Sequence, residues 1–288
     1  MQAKQPDIST LPEVQDLVKR ALAEDIGTGD VTSDALVDDQ GIARAAIISR
    51  GACTVAGIRV ATLVFHACRP DLSVRALVED GASVAGGQTV MEIAGNARAI
   101  LAAERVALNF LQRMSGIATL TRRYVEKAAP HGVRVLDTRK TTPGLRVLEK
   151  YAVRCGGGEN HRAGLWDRVL IKDNHRAFCK SGNVDLPTAV RMTRQKHPSL
   201  SVEIEVESAD ELRAVLPAAP DWILLDNMSA EILRRCVAIN QRRCKLEASG
   251  GVTLDNVEAI ARTGVDAISI GALTHSAPAA DFSLEFLT

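Results

Sequence analysis

The chain has 288 residues, 46% of them hydrophobic, with Lys+Arg and Asp+Glu equal at 35. That length buries a substantial core in one large domain or two smaller ones. With no net charge, no global field draws the chain to nucleic acid or to an acidic membrane surface, so any preference for anions must come from local placement. The start, Met-Gln-Ala-Lys-Gln-Pro-Asp, has no apolar signal core, and no run approaches the ~18 apolar residues of a membrane span. The expected compartment is the cytoplasm, with neither a nucleic-acid nor a membrane partner.

Residues 9 to 25 place Leu11, Val14, Leu17, Val18, Ala21 and Leu22 at helical spacing after Ser9-Thr10, with Pro12 in the first turn; the pattern predicts a capped amphipathic helix. Gly27 to Thr32 reads as a turn. Short β-type runs follow at 42–48, 53–56, 72–79 and 89–94, punctuated by glycines and interrupted by a helix at 58–67. A long helical pattern from 98, carrying Leu101, Val106, Leu108, Phe110, Leu111 and Met114, leads to Ser115-Gly116, where the domain boundary is expected. This gives an N-terminal α+β sandwich domain over 1–116, with the tail at 277–288 expected to pack with it.

From 117 to 276 the periodicity changes to strand-helix alternation. Apolar runs lie at 133–136, 168–171, 202–206, 222–225, 244–248 and 265–270, with helical segments between them. Such runs imply a parallel sheet covered on both sides. Six units are too few for a complete eight-fold barrel of ~250 residues. The expected fold is α/β, ending in an incomplete parallel α/β barrel of six or seven strands.

Between Asp137 and Arg176 the chain concentrates nine basic residues (Arg139, Lys140, Arg146, Lys150, Arg154, Arg162, Arg168, Lys172, Arg176) against five acids. Even spreading would put about five there, so the stretch is suited to hold anions. The six cysteines form no C-x-x-C pair and have no histidine at metal-ligand spacing, which predicts free thiols. Cys155, beside three glycines, has a nucleophile reading, but a packed and inert thiol is the better expectation.

Polar residues follow the C-terminal ends of nearly every predicted strand: Asp137 to Lys140, Lys172 to His175, Asp226-Asn227, Ser249 to Gly251, and Gly271. In parallel α/β architectures the βα loops converge at that end, and sites assemble there. Glu203, Glu205 and Glu207 alternate with Ile204 and Val206, so on a strand all three face one way. Pointed into a barrel they need cationic partners; the alternative is an edge strand with one solvated face. Ser249-Gly250-Gly251 and Ser269-Ile270-Gly271 close the last two strands as glycine-containing turns suited to a phosphate monoester. Gly156-Gly157-Gly158 reads as a ligand-approaching loop or a helix C-terminal cap. By spacing alone, Arg105, Asn109 and Arg113 form a solvated helix face.

Taken together these motifs resemble the quinolinate phosphoribosyltransferase family of type II phosphoribosyltransferases. The likeness runs from Ala23-Glu24-Asp25 with Gly29 to Thr32, through Glu104 to Asn109, Asp137 to Gly144, Cys155 to Arg162 and Ile171 to His175, to Leu225-Asp226-Asn227, Ser249 to Gly251 and Gly271 to Ser276. The resemblance implies transfer of phosphoribosyl from phosphoribosyl pyrophosphate with Mg²⁺ to quinolinate, giving nicotinate mononucleotide, pyrophosphate and CO₂. By the same likeness Arg139, His161, Arg162 and Lys172 line the dicarboxylate's pocket, joined by Arg105 from the other subunit of a homodimer, and Thr138 is a further substrate-binding residue. Lys140 contacts pyrophosphate, and Glu205 and Asp226 hold the ribose hydroxyls and water-bound Mg²⁺. The turns at Ser249, Gly250 and Gly251 and at Ser269, Ile270 and Gly271 take the 5′-phosphate. Arg146, Lys150, Arg154, Arg168 and Arg176 have no assigned role. The competing readings are a paralogue found with molybdate-transport genes, and a phosphosugar-binding barrel without turnover.

Overall fold

The computed structural model describes residues 7–287. The chain divides into two compact units. One contains the chain up to Arg122, Thr141–Gly157 and the chain from Leu273 onward; the other contains Arg123–Lys140 and Gly158–Ala272.

In the first unit, helix α1 (Pro12–Ile26) buries Val14, Val18 and Leu22, one apolar stripe at four-residue spacing. Its N-cap is Leu11, which makes no side-chain bond. The expected cap at Ser9-Thr10 instead lies in a 3-10 turn that Asp7 caps. Val31 and Thr32, expected to end a turn, instead open helix α2 (Val31–Leu36), because the Asp30 carboxylate accepts the Thr32 and Ser33 backbone N–H groups.

Strands β1 (Ile42–Ser49) and β2 (Cys53–Thr54) precede helix α3 (Ile58–Cys68), and β3 (Ser73–Ala76), β4 (Ser83–Val84) and β5 (Thr89–Asn96) follow it. The C-terminal tail supplies β12 (Phe282–Phe286), which pairs antiparallel with β1. The resulting four-stranded sheet has the order β12-β1-β5-β3, while β2 and β4 pair separately.

Helix α4 (Ala97–Ala128) runs straight through Ser115-Gly116. What looked like a stop signal is a site of close approach. Ser115 Oγ accepts the Ala56 N–H at 3.0 Å and donates to the Ala56 carbonyl at 3.1 Å. A Cβ at position 116 would lie 2.0 Å from the Pro278 carbonyl oxygen. Gly116→Ala must therefore displace backbone, and we expect it to destabilise the protein by about 2 kcal/mol, as overpacking does. A thermal unfolding curve unchanged from wild type would show that the 278 segment yields freely.

Arg113 does not share the solvated face expected for it. Its guanidinium donates to the buried Glu149 carboxylate at 2.7 Å and to the Thr274 and Ala277 carbonyls. Helix α5 (Arg146–Cys155) carries Glu149 and also Tyr151, whose hydroxyl donates to Asp80 Oδ2 at 2.8 Å; Asp80 Oδ1 in turn accepts the Ile58 N–H that opens α3. The six cysteines are free thiols. Burial, then the Asp80 charge, pushes Cys155 up to about 12, which leaves it a thiol at neutral pH.

In the second unit six parallel strands, β6 (Arg134–Leu136), β7 (Val169–Ile171), β8 (Val202–Val206), β9 (Trp222–Asp226), β10 (Lys245–Ser249) and β11 (Ala267–Ser269), lie in the order β6-β11-β10-β9-β8-β7. Helices α6 (Asp173–Ser181), α7 (Leu186–Lys196), α8 (Ala209–Val215), α9 (Ala230–Asn240) and α10 (Val257–Ala261) connect them. The first two strands in sequence are thus the two ends of the sheet, and a seam lies between them: an incomplete α/β barrel. Glu203 on β8 and Glu247 on β10 both reach the His161 ring although β9 lies between their strands, which only an inward-curved sheet permits. Strand β8 pairs on both sides, so the edge-strand alternative fails. Glu203 and Glu205 are buried on its inner face, whereas Glu207 lies past the strand end, exposed and paired with Arg176. Among the described residues no helix is long and apolar enough to cross a membrane.

Candidate active site

The second unit gathers Thr138, Arg139, Lys140, His161, Arg162, Lys172, Glu205, Asp226 and both glycine turns on one barrel, at or just beyond the C-terminal ends of its strands. Arg105 belongs to the first unit, on an exposed face of α4 beside Asn109. On β6 the chain passes from Leu136 to Asp137, which is fully buried and accepts the His161 N–H at 2.8 Å and the Asn160 amide at 2.6 Å. Those bonds fix residues 159–162 along the open side of β6, where Glu159 forms an isolated parallel bridge to Leu136. The Gly156 to Gly158 stretch therefore delivers a structured segment to the seam, not only a helix cap.

His161 is 8% exposed. Its Nε2 lies 3.0 Å from Glu203 Oε2 and 3.4 Å from Glu247 Oε2, and its Nδ1 accepts the Arg162 N–H at 2.7 Å. Burial opposes the imidazolium, but the two carboxylates outweigh it and push the ring's pKa up to about 9. The Arg162 N–H works against that, because it occupies the lone pair a second proton requires. The geometry is therefore that of a neutral ring donating Nε2–H to Glu203. Burial raises the Glu203 carboxyl but its contacts with His161 and Arg168 lower it further, while burial and then the Glu203 charge raise Glu247. Arg168 Nη1 completes the cluster, 3.3 Å from Glu203 Oε2.

At the barrel mouth the charges alternate. Burial, then the adjacent Arg139 charge, lowers the pKa of Arg162. Two guanidinium groups in a partly desolvated setting gain from a dianion between them. After β7, Lys172 Nζ donates to Glu205 Oε2 at 2.9 Å, and Glu205 Oε1 accepts the Asp173 N–H at 3.3 Å. Asp226 ends β9. Burial and then repulsion from Glu205 raise its pKa, moderated by Asn227, Lys172 and Lys140.

The turn after β10 needs glycine for two reasons: Gly250 has φ +88°, and a Cβ there would fall 2.1 Å from Asn227 Oδ1. Ser269 and Ile270 are buried at the end of β11, with Gly271 less so.

Three members of this site were not assigned from sequence: Asp137, Arg168 and Glu247. The alternation in Lys245-Leu246-Glu247-Ala248-Ser249 puts Glu247 on the same face as Ser249, the signal that singled out Glu203 and Glu205.

Models of two domains match the chain: the quinolinate phosphoribosyl transferase N-terminal domain over residues 30–115 and its C-terminal domain over 117–285. A probable nicotinate-nucleotide pyrophosphorylase (carboxylating) of Bacillus subtilis is 39% identical over 274 residues, covering 95% of this chain and 93% of its own. The nicotinate-nucleotide pyrophosphorylase (carboxylating) of Mycobacterium leprae is 42% identical over 279 residues, covering 94% of this chain and 96% of its own. The crystal structure of NadC from Streptococcus pyogenes superposes with a TM-score of 0.92 at 36% identity, covering 100% of both chains. The chain belongs to the quinolinate phosphoribosyltransferase family.

Proposed function

We propose that this chain transfers phosphoribosyl from phosphoribosyl pyrophosphate to quinolinate with loss of CO₂, giving nicotinate mononucleotide and pyrophosphate for NAD biosynthesis. The observation that carries the reading is the charge gathered on this barrel: Arg139 acts on Arg162, Lys172 pairs with Glu205, and Glu205, Lys172 and Lys140 all act on Asp226. A lone phosphate needs fewer cations than this, whereas a planar dicarboxylate matches two forked guanidinium donors and an ammonium.

In this reading Thr138, Arg139, Arg162 and Lys172 hold quinolinate. His161, turned into the lumen, supports the pocket from beneath, and Arg105 is supplied by the second subunit of a homodimer. The exposed apolar side chains Leu165, Trp166, Phe178 and Met192 near the seam suit such a partner. Lys140 serves the pyrophosphate, and the turns at Ser249 to Gly251 and Ser269 to Gly271 the 5′-phosphate.

Glu205 and Asp226 fit Mg²⁺: the Glu205 charge raises the proton affinity of Asp226, a repulsion that a cation relieves, and so few acids suit an ion that keeps its waters and arrives on phosphates. Mg²⁺ supplies charge neutralisation of the pyrophosphate. The same two carboxylates favour the positive charge that develops at the ribose as its bond to pyrophosphate breaks. Ribosylation makes the ring nitrogen cationic, which eases expulsion of CO₂ from the neighbouring carbon, so decarboxylation follows transfer and needs positioning more than a dedicated base. Purified protein with quinolinate, phosphoribosyl pyrophosphate and Mg²⁺ is expected to release CO₂ in step with quinolinate loss; no CO₂ at saturating substrates refutes the reading.

A further inference from the structure

We infer that Glu247, with Glu203, is a positioning residue for the dicarboxylate pocket, acting through the His161 ring on Arg162. The inference rests on the function proposed above. Both carboxyl groups are fully buried, yet Glu203 Oε1 and both oxygens of Glu247 lack a well-formed hydrogen bond. Leaving such groups partly satisfied costs stability, and an apolar side chain would fill the lumen at less cost. Local rules are broken in this way where function requires it.

The ring is held at both ends. Nε2 faces Glu203 and Glu247 at 3.0 and 3.4 Å, and Nδ1 accepts the Arg162 N–H at 2.7 Å. Asp137 secures the same turn from behind through the His161 N–H. Arg162 Nη1 points to the Arg168 carbonyl at 3.5 Å, and Arg168 Nη1 returns to Glu203. Orientation of the ring therefore fixes where the Arg162 backbone leaves the turn, and with it the guanidinium that meets the substrate.

The ligand atoms of His161, Glu203 and Glu247 lie within 4.8 Å of one another, which also satisfies the spacing for a metal ion. Arg168 decides against one: its Nη1, 3.3 Å from Glu203 Oε2 and 3.5 Å from His161 Nε2, already brings a positive charge there.

The test measures the quinolinate Kd by titration calorimetry, and the KM of each substrate by CO₂ release, for wild type, Glu247→Gln, Glu247→Ala, His161→Gln and the double variant His161→Gln/Glu247→Ala. Glu247→Gln keeps the volume and is expected to fold and to weaken quinolinate binding about threefold. Glu247→Ala should weaken it about tenfold, while the phosphoribosyl pyrophosphate KM moves less than about twofold in either. The double variant should bind no worse than His161→Gln alone, since Glu247 acts through that ring.

An unchanged quinolinate Kd in Glu247→Gln, equal shifts in both KM values, or additive effects in the double variant would overturn the inference. A stoichiometric divalent ion that co-purifies with wild type and is lost from Glu247→Gln would do so too. Absence of CO₂ from wild type, by contrast, falls on the proposed reaction, and quinolinate Kd values across the same variants still decide the role of Glu247.

Discussion

Arg105→Ala is expected to weaken quinolinate binding by about a hundredfold or more, the scale for truncating one partner of a desolvated charge pair. The unfolding midpoint should stay within about 2 °C of wild type. The asymmetry follows from where the residue sits. Its side chain is 58% exposed, and its nearest acid, Glu104 at 3.7 Å, is a weak surface pair, so the fold gains little from it. In the proposed reading the site gains from it a forked donor for a second carboxylate.

If the arginine serves the partner's barrel, mixing decides it. Arg105→Ala and Lys140→Ala subunits, each nearly inactive alone, should regain about a quarter of wild-type activity when randomised together, because half of the dimers are mixed and each carries one intact site. No recovery on mixing would place Arg105 and Lys140 in the same chain's site, and unchanged quinolinate affinity in Arg105→Ala would leave the arginine on a plain solvated helix face.

The barrel was legible in the sequence because short, mostly apolar runs give way to polar residues or glycine at nearly every strand's C-terminal end. Leu-Leu-Asp-Asn at 224–227 and Ile-Lys-Asp-Asn-His at 171–175 place their acids and cations where β9 and β7 end. Alternation along β8 identified Glu203 and Glu205 as inward-facing, but it could not say where the strand stops, and Glu207 falls one residue too far.

The first unit was harder to read. Helix α2 is a six-residue helix whose identity depends on one Asp30 cap, and Ser115-Gly116 resembles a terminus because small residues serve both turns and close approaches. Arg113 looked solvated because its partners, Glu149 and the Thr274 and Ala277 carbonyls, are distant in sequence. Periodicity carries no information about such partners. The same limit hid the cluster at His161, whose ligands come from β8 and β10 and whose orientation depends on a backbone N–H.

Lys140→Ala is expected to lower kcat by about a hundredfold to a thousandfold, roughly 2.7–4 kcal/mol of transition-state stabilisation, with quinolinate affinity unchanged. Lys140 is exposed, three residues past the buried Asp137, and its backbone N–H is fixed by Thr138 Oγ1 at 3.0 Å. Its charge reaches Asp226, whose carboxyl it helps keep ionised. The ammonium therefore lies near the acids assigned to the ribose and its metal, and on the β6 loop apart from the Arg162 turn.

An ammonium placed there has little to offer a ground-state substrate whose phosphates are already bound. It matters most when pyrophosphate takes up the electron pair of the breaking bond and its negative charge grows. Loss should therefore fall on the transfer step, seen as a slower single turnover at saturating substrates. Lys140→Arg should recover part of the rate, since a guanidinium restores the charge but not the compact point of an ammonium. Because Lys140 also lowers the Asp226 pKa, its removal should move the acid limb of the kcat profile to higher pH, as Asp226 then takes up its proton more readily. An unaltered single-turnover rate in Lys140→Ala would remove the lysine from the pyrophosphate site, and an acid limb that does not move would separate it from Asp226.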